Sequence, residues 1–169
     1  MEVQSFPPII DGQSTLLVLG SMPGTASLAK HQYYGHPRNY FWPVLYGLAG
    51  LVVAGDYGQR LAFAKERGVA LWDVIAACER EGSLDSSIRE AVPNDLPGLL
   101  AEYPAIRALA FNGNKSYDTY KKHFAGHAMN DRVTLLRLPS TSPIPTARMR
   151  TTEDRIGAWR PIADYMRMP

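Results

Sequence analysis

The chain has 169 residues, of which 46% are hydrophobic and 20% charged, and its formal net charge is +2. We expect a single domain over residues 1–169, because this length suits one domain with a sizeable core. No apolar run reaches the about 18 residues of a membrane span, and the first residues lack the pattern of a secretory signal, so we expect a cytoplasmic protein. The single cysteine, Cys78, excludes an internal disulfide and any metal site built from four thiolates.

Charged residues are distributed unevenly along the chain. Residues 12–55 contain no Asp or Glu, whereas the stretch from Arg132 to the end carries seven arginines and three acids. Scattered arginines usually serve to solvate a surface. An acid-free stretch and an arginine-rich stretch nevertheless indicate two zones that could face an anion.

The first half of the chain predicts one strand and two helices. The apolar run "TLLVLG" at 15–20 predicts a buried strand that ends in glycine. A long loop follows, including the aromatic stretch "HQYYGHPRNYFWP", and the apolar run at 41–55 then predicts a helix with Pro43 in its first turn. Residues 56–67 predict a second helix, which Gly68 ends.

The second half predicts three more strands, each followed by a helix. "VALWDVIAA" at 69–77 predicts the second strand, Ser83 or Asp85 is expected to cap a helix that ends before Pro93, and Asn94 or Asp95 to cap the next. The remaining predicted elements are a strand at 106–113, a helix at 115–124, a strand at 133–140, a loop at 141–150 and a final helix from Thr151.

Strands that alternate with helices predict an α/β fold. We expect a three-layer sandwich in which a central, mainly parallel four-stranded sheet carries helices on both faces. Ligands of such sheets bind where loops leave the carboxyl ends of the strands. The four loops expected there are "SMPGTASLAKHQYYGHPRNYFW", "DVIAACEREGSLD", "NGNKSY" and "PSTSPIPTARMR".

The contents of these loops exclude several kinds of site. The first strand is not followed by GxGxxG, and no GxxxxGK[ST] is present, so neither dinucleotide nor NTP binding is indicated. The histidines lack the spacing of metal ligands, and "GSMPG" is not a nucleophile elbow. We therefore expect no cofactor and no metal. Aromatic rings, amides, hydroxyls and cations remain, and these suit a planar base and its phosphates.

Four motifs resemble those of a known family. In chain order they are "LVLGSMPGTASLAKHQYYGHPRNYFW", "GVALWDVIAACEREGSLDSSI", "FNGNKSY" and "LPSTSP". Together they span residues 17–143 and resemble the uracil-DNA glycosylase superfamily, most of all its hypoxanthine (deoxyinosine) DNA glycosylase branch; they are also similar to mismatch-specific uracil/thymine DNA glycosylases. The resemblance implies a uracil-DNA glycosylase-like fold and a monofunctional DNA glycosylase that flips a deaminated base, hypoxanthine or uracil, out of DNA and hydrolyses its N-glycosidic bond. The expected partner is DNA containing a deaminated base, the expected state is a monomer, and no membrane is involved.

The resemblance also implies roles for individual residues. Asn39 would be catalytic and would position water, because an amide does not accept a proton near neutral pH. Asp73 stands where relatives usually carry an Asn that reads the base edge; it could accept from a ring N–H or, when protonated, donate to the base oxygen. The other candidates for base binding are Gly20, Ser21, Met22, Pro23, Gly24, Tyr34, Phe41 and Asn112.

A further set of residues is expected to contact the DNA outside the base pocket. Met149, between two arginines at a loop tip, suits a wedge that enters the gap left by a flipped base. The remaining candidates for DNA binding are Lys30, His36, Arg38, Ser140, Thr141, Ser142, Arg148 and Arg150.

Each central residue also has an ordinary structural interpretation. Asn39 could cap the helix that follows it, Asp73 could cap a loop or pair with Arg80, Asn112 could be a turn residue, and the aromatic residues could simply pack the long loop. Three other functions stay open: a mismatch-specific uracil-DNA glycosylase, a noncatalytic module that binds modified bases in DNA, and a small-molecule hydrolase.

Overall fold

The chain forms two β-sheets with helices packed around them. The computed structural model describes residues 1–144 and 146–168. Its strands are β1 (Glu2–Gln4), β2 (Leu16–Gly20), β3 (Val69–Asp73), β4 (Ile75–Glu79), β5 (Arg89–Pro93), β6 (Ala108–Asn112) and β7 (Thr134–Leu138). Its α-helices are α1 (Thr25–Lys30), α2 (Phe41–Leu48), α3 (Tyr57–Glu66), α4 (Leu96–Glu102), α5 (Asn114–Phe124) and α6 (Thr152–Trp159). Among the described residues, no helix is long and apolar enough to cross a membrane.

The central sheet has four parallel strands in the order β3-β2-β6-β7. Successive side chains of a strand point to opposite faces. On β2, Leu16 and Val18 therefore pack with α2, α3 and α6, whereas Leu17 and Leu19 pack with α4 and α5. All four leucine and valine side chains are fully buried. The predicted three-layer α/β sandwich, with helices on both faces, is confirmed.

The order of these strands opens a crevice at one edge of the sheet. The chain passes from β2 outward to β3 and then returns to the other side of β2 to form β6. Where the direction of winding reverses, the loops diverge from the carboxyl ends of the strands and leave room for a ligand. Gly20, Asp73, Asn112 and Leu138 end the four strands at this edge.

A second, antiparallel sheet of β1, β4 and β5 was not predicted. The predicted strand at 69–77 is divided at Val74, whose N–H donates to the Gly20 carbonyl while its own carbonyl accepts from the Asn94 N–H, each at 2.8 Å. The predicted helix before Pro93 is wrong: residues 85–87 form one 3-10 turn, and β5 follows. Strand β5 is mostly exposed, so its sequence lacks the apolar pattern that would indicate a strand.

Most predicted helices are confirmed, although one ends earlier than predicted and one helix was not predicted. The side chain of Asp56 caps α3, that of Asp95 caps α4, and Thr151 begins α6 with a capping box. Helix α1 lies in a stretch predicted as loop, and α2 ends at Leu48 rather than continuing to residue 55.

Candidate active site

A cavity of about 730 Å³ lies at the carboxyl ends of the central strands. All four predicted loops contribute residues to its wall, the third of them through Asn112 at the end of β6. The residues predicted from sequence that line it are Gly20, Ser21, Met22, Pro23, Gly24, Tyr34, His36, Asn39, Asp73, Asn112, Ser140, Thr141 and Ser142. The fold therefore brings most of the predicted base-binding residues and the predicted catalytic residue to one place.

Several predicted residues do not line this cavity. Phe41 is fully buried behind Tyr34, and the two rings stack with their centroids 4.2 Å apart. The Lys30 ammonium donates to the Gly35 carbonyl at 3.0 Å. Met149 lines a second, smaller cavity instead. The other predicted residues outside the main cavity, all exposed, are Arg38, Arg148 and Arg150.

Two polar side chains converge on Gly20 at the inner end of the cavity. Gly20 pairs in register with Asp73 across β2 and β3. A Cβ atom at position 20 would lie 2.5 Å from Asp73 Oδ1 and 3.4 Å from the Tyr34 hydroxyl. Any side chain at position 20 would have to displace the Asp73 carboxyl group. Because Gly20 has no side chain, the Asp73 carboxyl group and the Tyr34 hydroxyl can both lie against its backbone.

Asp73 is a buried carboxyl group without a full set of partners. Its side chain is 4% exposed, and Oδ2 accepts no hydrogen bond from the described residues. Burial raises the pKa of Asp73 from 3.8 to about 7, while the charge of Arg80 opposes this shift and that of Asp85 reinforces it. Near neutral pH the carboxyl group is therefore present in both its protonated and its ionised form.

The Tyr34 hydroxyl is the second buried polar group without a partner among the described residues. Burial, together with the charge of Asp73, raises the pKa of Tyr34 well above its ordinary value, and the nearby Asn112 side chain opposes this shift without meeting the geometry of a hydrogen bond, so the group remains an O–H donor. An unsatisfied buried polar group costs about 1–3 kcal/mol. Two such groups beside one cavity indicate a site whose hydrogen bonds are completed by a ligand.

The aromatic stretch before α2 fixes the position of Tyr34. The backbone of Tyr34 is left-handed, with φ of 54°, a conformation that residues other than glycine seldom adopt. Neighbouring bonds hold this turn: the Gly35 N–H donates to Ser27 Oγ at 2.9 Å, and the Trp42 indole donates to the Tyr33 carbonyl at 3.1 Å. Such strain is retained where the surrounding structure enforces it, often at functional sites.

Asn39 has both a structural contact and access to the cavity. Its Oδ1 accepts from the Phe41 N–H at 2.9 Å, at the start of α2, and the residue also lines the cavity. A carbonyl oxygen can accept two hydrogen bonds, so one acceptor position remains for water. The next residue, Tyr40, donates its N–H to the Thr141 carbonyl at 2.9 Å, which ties Asn39 to the loop after β7.

Asn112 holds the loop after β7 in place. Its Oδ1 accepts from the Thr141 N–H and its Nδ2 donates to Thr141 Oγ1, both at 2.9 Å. Thr141 is buried, whereas Ser140 is exposed and accepts from the Ser142 N–H through its Oγ. The exposed Ser140 hydroxyl thus lies at the rim of the cavity, and Asn112 sets the position of the loop after β7.

One wall of the cavity is formed by residues that were not predicted individually, although most of them belong to the predicted loop "DVIAACEREGSLD". Residues 83–86, between β4 and β5, line the cavity beside the first loop. Ser21 Oγ donates to Asp85 Oδ1 at 2.7 Å, and the Thr25 N–H donates to Ser83 Oγ at 2.8 Å. The buried side chain of Arg80 donates to the Pro23 carbonyl. These residues follow from the antiparallel sheet, for which the sequence carried no clear signal.

The lining residues define what the cavity can do chemically. Among residues 1–144 and 146–168, no group of three His, Cys, Asp or Glu side chains could hold a metal ion. The inner end offers a tyrosine O–H donor and a carboxyl group that can donate or accept, and Asn39 offers an acceptor for water. These groups suit the binding of a polar heterocycle and the attack of a positioned water molecule.

Comparisons with known proteins agree with this chemistry. The sequence pattern of the Uracil DNA glycosylase superfamily matches residues 7–163. The chain is similar to a hypoxanthine DNA glycosylase of Methanosarcina barkeri, with 42% identity over 117 residues that cover 69% of this chain and 74% of the relative. It is also similar to a hypoxanthine DNA glycosylase of Methanosarcina acetivorans, with 34% identity over 160 residues that cover 94% and 96% of the two chains. A solution NMR structure of a Methanosarcina acetivorans protein, provisionally described as a uracil DNA glycosylase, superimposes with a TM-score of 0.80 at 34% identity and covers 96% of this chain and 97% of the other.

Proposed function

The chain belongs to the uracil DNA glycosylase superfamily, and from that premise we propose that this monofunctional DNA glycosylase releases hypoxanthine from DNA by hydrolysing the bond between the base and its deoxyribose. The two named relatives act, by their names, on hypoxanthine. The observation that carries the proposal is the pair of unpartnered buried groups, Asp73 and the Tyr34 hydroxyl, at the inner end of the cavity.

The edge of hypoxanthine matches these two groups. The base presents a ring N–H beside a carbonyl oxygen. A protonated Asp73 can donate its O–H to that oxygen and accept the ring N–H with its own carbonyl. The Tyr34 hydroxyl, which remains protonated, supplies a second donor for the same oxygen. Binding the base would therefore give hydrogen-bond partners to both Asp73 and the Tyr34 hydroxyl.

The same groups favour departure of the base. Cleavage of the glycosidic bond develops positive charge on the sugar and negative charge on the leaving base. Donors that already face the base oxygen stabilise that negative charge. An ionised Asp73 would repel it, so we propose that the protonated form of Asp73 is the active one. Phe41, which stacks on Tyr34 from behind, supports the donor and does not contact the base.

Asn39 is proposed to position the attacking water. Its Oδ1 has one acceptor position left after the hydrogen bond from the Phe41 N–H. An amide cannot take the proton of this water at neutral pH, so its contribution is orientation. The expected consequence is a slow enzyme that depends strongly on the placement of this one side chain.

The target nucleotide must leave the helix to reach the cavity, which costs a few kcal/mol of stacking and pairing. Ile144 is 61% exposed at the rim and is the large apolar side chain best placed to enter the vacated gap. The predicted wedge, Met149, is half-buried in the second cavity. The described lining of the site is drawn from Gly20 through Thr146, which supports the expectation of one domain over residues 1–169, and a monomer stays the proposed state.

Matched DNA duplexes test this proposal. Each carries deoxyinosine, deoxyuridine or deoxyadenosine at one position, and alkali converts the abasic sites left by base release into strand breaks. We expect cleavage at deoxyinosine above that at deoxyuridine and none at deoxyadenosine. Preferred cleavage at deoxyuridine would favour a mismatch-specific uracil-DNA glycosylase, and binding without release of any base would favour the noncatalytic module; either result contradicts the proposal.

The role of Asn39 is tested in the same assay with Asn39→Ala. We expect a rate at least about 100-fold lower, because water is no longer oriented. The substitution also removes a contact at the start of α2, so Asp95→Ala is the matched control: it removes the cap of α4, and Asp95 does not line the cavity. Equal losses of activity in both variants would show that the effect of Asn39 is structural.

A further inference from the structure

A second cavity, of about 210 Å³, adjoins the main one. Ser140, Ile144 and Thr146 line both cavities, so the two share a rim. The other lining residues of the smaller cavity are Asn114, Pro139, Met149 and Arg155. No acidic residue is among those described in its lining, and the nucleotide proposed to enter the main cavity would have its backbone at this shared rim.

Arg155 places a buried positive charge at this second cavity. Its side chain is 1% exposed, and its guanidinium donates to the backbone carbonyls of Thr151 at 3.2 Å and Ser142 at 3.5 Å. The guanidinium carbon lies 3.8 Å from the centroid of the Tyr40 ring. Among the described residues, its Nε has no hydrogen-bond partner and its guanidinium forms no ion pair within 4.0 Å. The neighbouring Asp154 feels the charge of Arg155, but its carboxylate accepts from the Arg150 and Thr151 N–H groups and forms no ion pair with the guanidinium. A buried guanidinium that no carboxylate pairs with directly is costly, so an anion in this cavity would stabilise it.

Helix α5 begins at the same cavity. Asn114 is its first residue, and no side chain caps its amino-terminal turn. The free amides and the dipole of an eleven-residue helix favour an anion at this end. The exposed side chain of Arg137 donates to Asn114 Oδ1 at 2.9 Å and adds a positive charge beside this turn. The buried guanidinium and the helix terminus thus point independently to an anion.

We infer that the second cavity binds a backbone phosphate of the DNA strand that delivers its base to the main cavity, an inference that rests on the proposed function. Arg155 supplies charge-assisted donors, the first turn of α5 supplies amides, and the hydroxyls of Ser140 and Thr146 complete the set. Arg155 also contacts the Ser142 carbonyl, in the loop after β7, and the ring of Tyr40, the residue next to Asn39. The bound phosphate is therefore linked through Arg155 to both of these parts of the main cavity.

Neutral phosphate analogues test this inference directly. The wild-type protein is titrated with duplexes that carry 2′-fluoro-deoxyinosine, which resists cleavage, and one methylphosphonate at successive positions around it. We expect one position at which the neutral linkage weakens binding by about 10- to 100-fold. At that position the same linkage should have no further effect on Arg155→Met. This comparison separates loss of a phosphate contact from general damage to the site.

Salt dependence supplies an independent measurement. Each phosphate contact contributes about 0.9 to the slope of log Kd against log salt concentration on duplex DNA. We expect Arg155→Met to lower that slope by about one contact, whereas Arg160→Met, which removes an exposed arginine that lines neither cavity, leaves it unchanged. If Arg155→Met does not fold, the same series of methylphosphonate duplexes, measured on the wild-type protein and on Thr146→Val, still decides the outcome.

The possible outcomes are distinct. A scan in which every linkage weakens the wild-type and Arg155→Met proteins equally, or an unchanged salt slope, would overturn the inference. Stabilisation of the wild-type protein by inorganic phosphate, without any position-specific effect of methylphosphonates, would assign the cavity to a free anion and would also overturn it. If the protein releases hypoxanthine while the scan is flat, only this inference fails; if it neither binds nor cleaves deoxyinosine duplexes, the proposed function fails.

Discussion

Replacing Asp73 by asparagine tests whether the protonated carboxyl group is the active form. Burial raises the pKa of Asp73 from 3.8 to about 7, a difference equivalent to about 4 kcal/mol of folding free energy. The folded protein holds this proton more tightly than the unfolded chain does. The free energy of unfolding should therefore fall as pH rises from about 4 to about 7 and remain low above that range. Asp73→Asn removes this loss, so its stability advantage over the wild type should grow by about 4 kcal/mol between pH 4 and pH 8.

The activity of the two proteins should differ in the same pH range. With a pKa near 7, about 90% of Asp73 is protonated at pH 6 and about 10% at pH 8. The kcat/KM of the wild type should therefore fall about tenfold over this interval. Asparagine keeps an N–H donor and a carbonyl acceptor at every pH, so Asp73→Asn should remain active with a flat profile.

Single-turnover release of hypoxanthine between pH 5.5 and pH 9, with denaturant unfolding at the same pH values, measures both effects. Asp85→Asn provides a directional control, because the charge of Asp85 contributes to the raised pKa of Asp73 and its loss should move the activity profile to lower pH. Activity that rises through pH 7 and disappears in Asp73→Asn would show that the ionised carboxylate is required, which would refute this reasoning.

Three further substitutions probe the rest of the site. Tyr34→Phe removes a buried hydroxyl that has no hydrogen-bond partner among the described residues. Hypoxanthine release should therefore fall about tenfold while the thermal midpoint stays equal or rises; a lower midpoint with full activity would contradict the role of Tyr34 as a donor. Gly20→Ala places a Cβ 2.5 Å from Asp73 Oδ1 and should cost about 1–3 kcal/mol in denaturant unfolding together with most of the activity, so a variant with wild-type values would mean that Asp73 is not constrained there. Ile144→Ala should reduce cleavage of duplex deoxyinosine more than that of single-stranded deoxyinosine, because only the duplex leaves a gap to fill. Val92→Ala, which removes another exposed apolar side chain, is the control. Equal losses on both substrates in Ile144→Ala would argue against a wedge.

The central sheet could be predicted because β2, β3 and β6 are buried apolar runs that end at a glycine or a polar residue, and β7, although partly exposed, keeps an apolar run before a turn. Leu16–Gly20 and Ala108–Asn112 are buried along their whole length, which is typical of parallel strands covered on both faces. The antiparallel sheet could not be predicted in the same way, since Glu2–Gln4 and Arg89–Pro93 are largely exposed. The division of the run at 69–77 depends on hydrogen bonds from distant segments, which no local pattern reveals.

The candidate site was predictable to a similar extent. Tyr34, Asn39 and Asp73 were proposed because they lie in motifs that resemble those of the family, and the topology of a parallel sheet accounts for why these motifs meet at one cavity. The buried position of Phe41 depends on a ring stack that spacing along the chain does not specify. The cavity at Arg155 was missed because α6 and the start of α5 are far apart in sequence and meet only in the folded chain.

Identification of the released product tests the central claim most directly. The wild-type protein is incubated with a duplex that contains one deoxyinosine, and the low-molecular-weight fraction is resolved by chromatography and mass spectrometry while the strand is examined before and after alkali. We predict free hypoxanthine in amounts equal to the alkali-sensitive sites, from a strand that stays intact until alkali is added. Alkali-sensitive sites without free hypoxanthine, or an unaltered deoxyinosine duplex, would contradict the account.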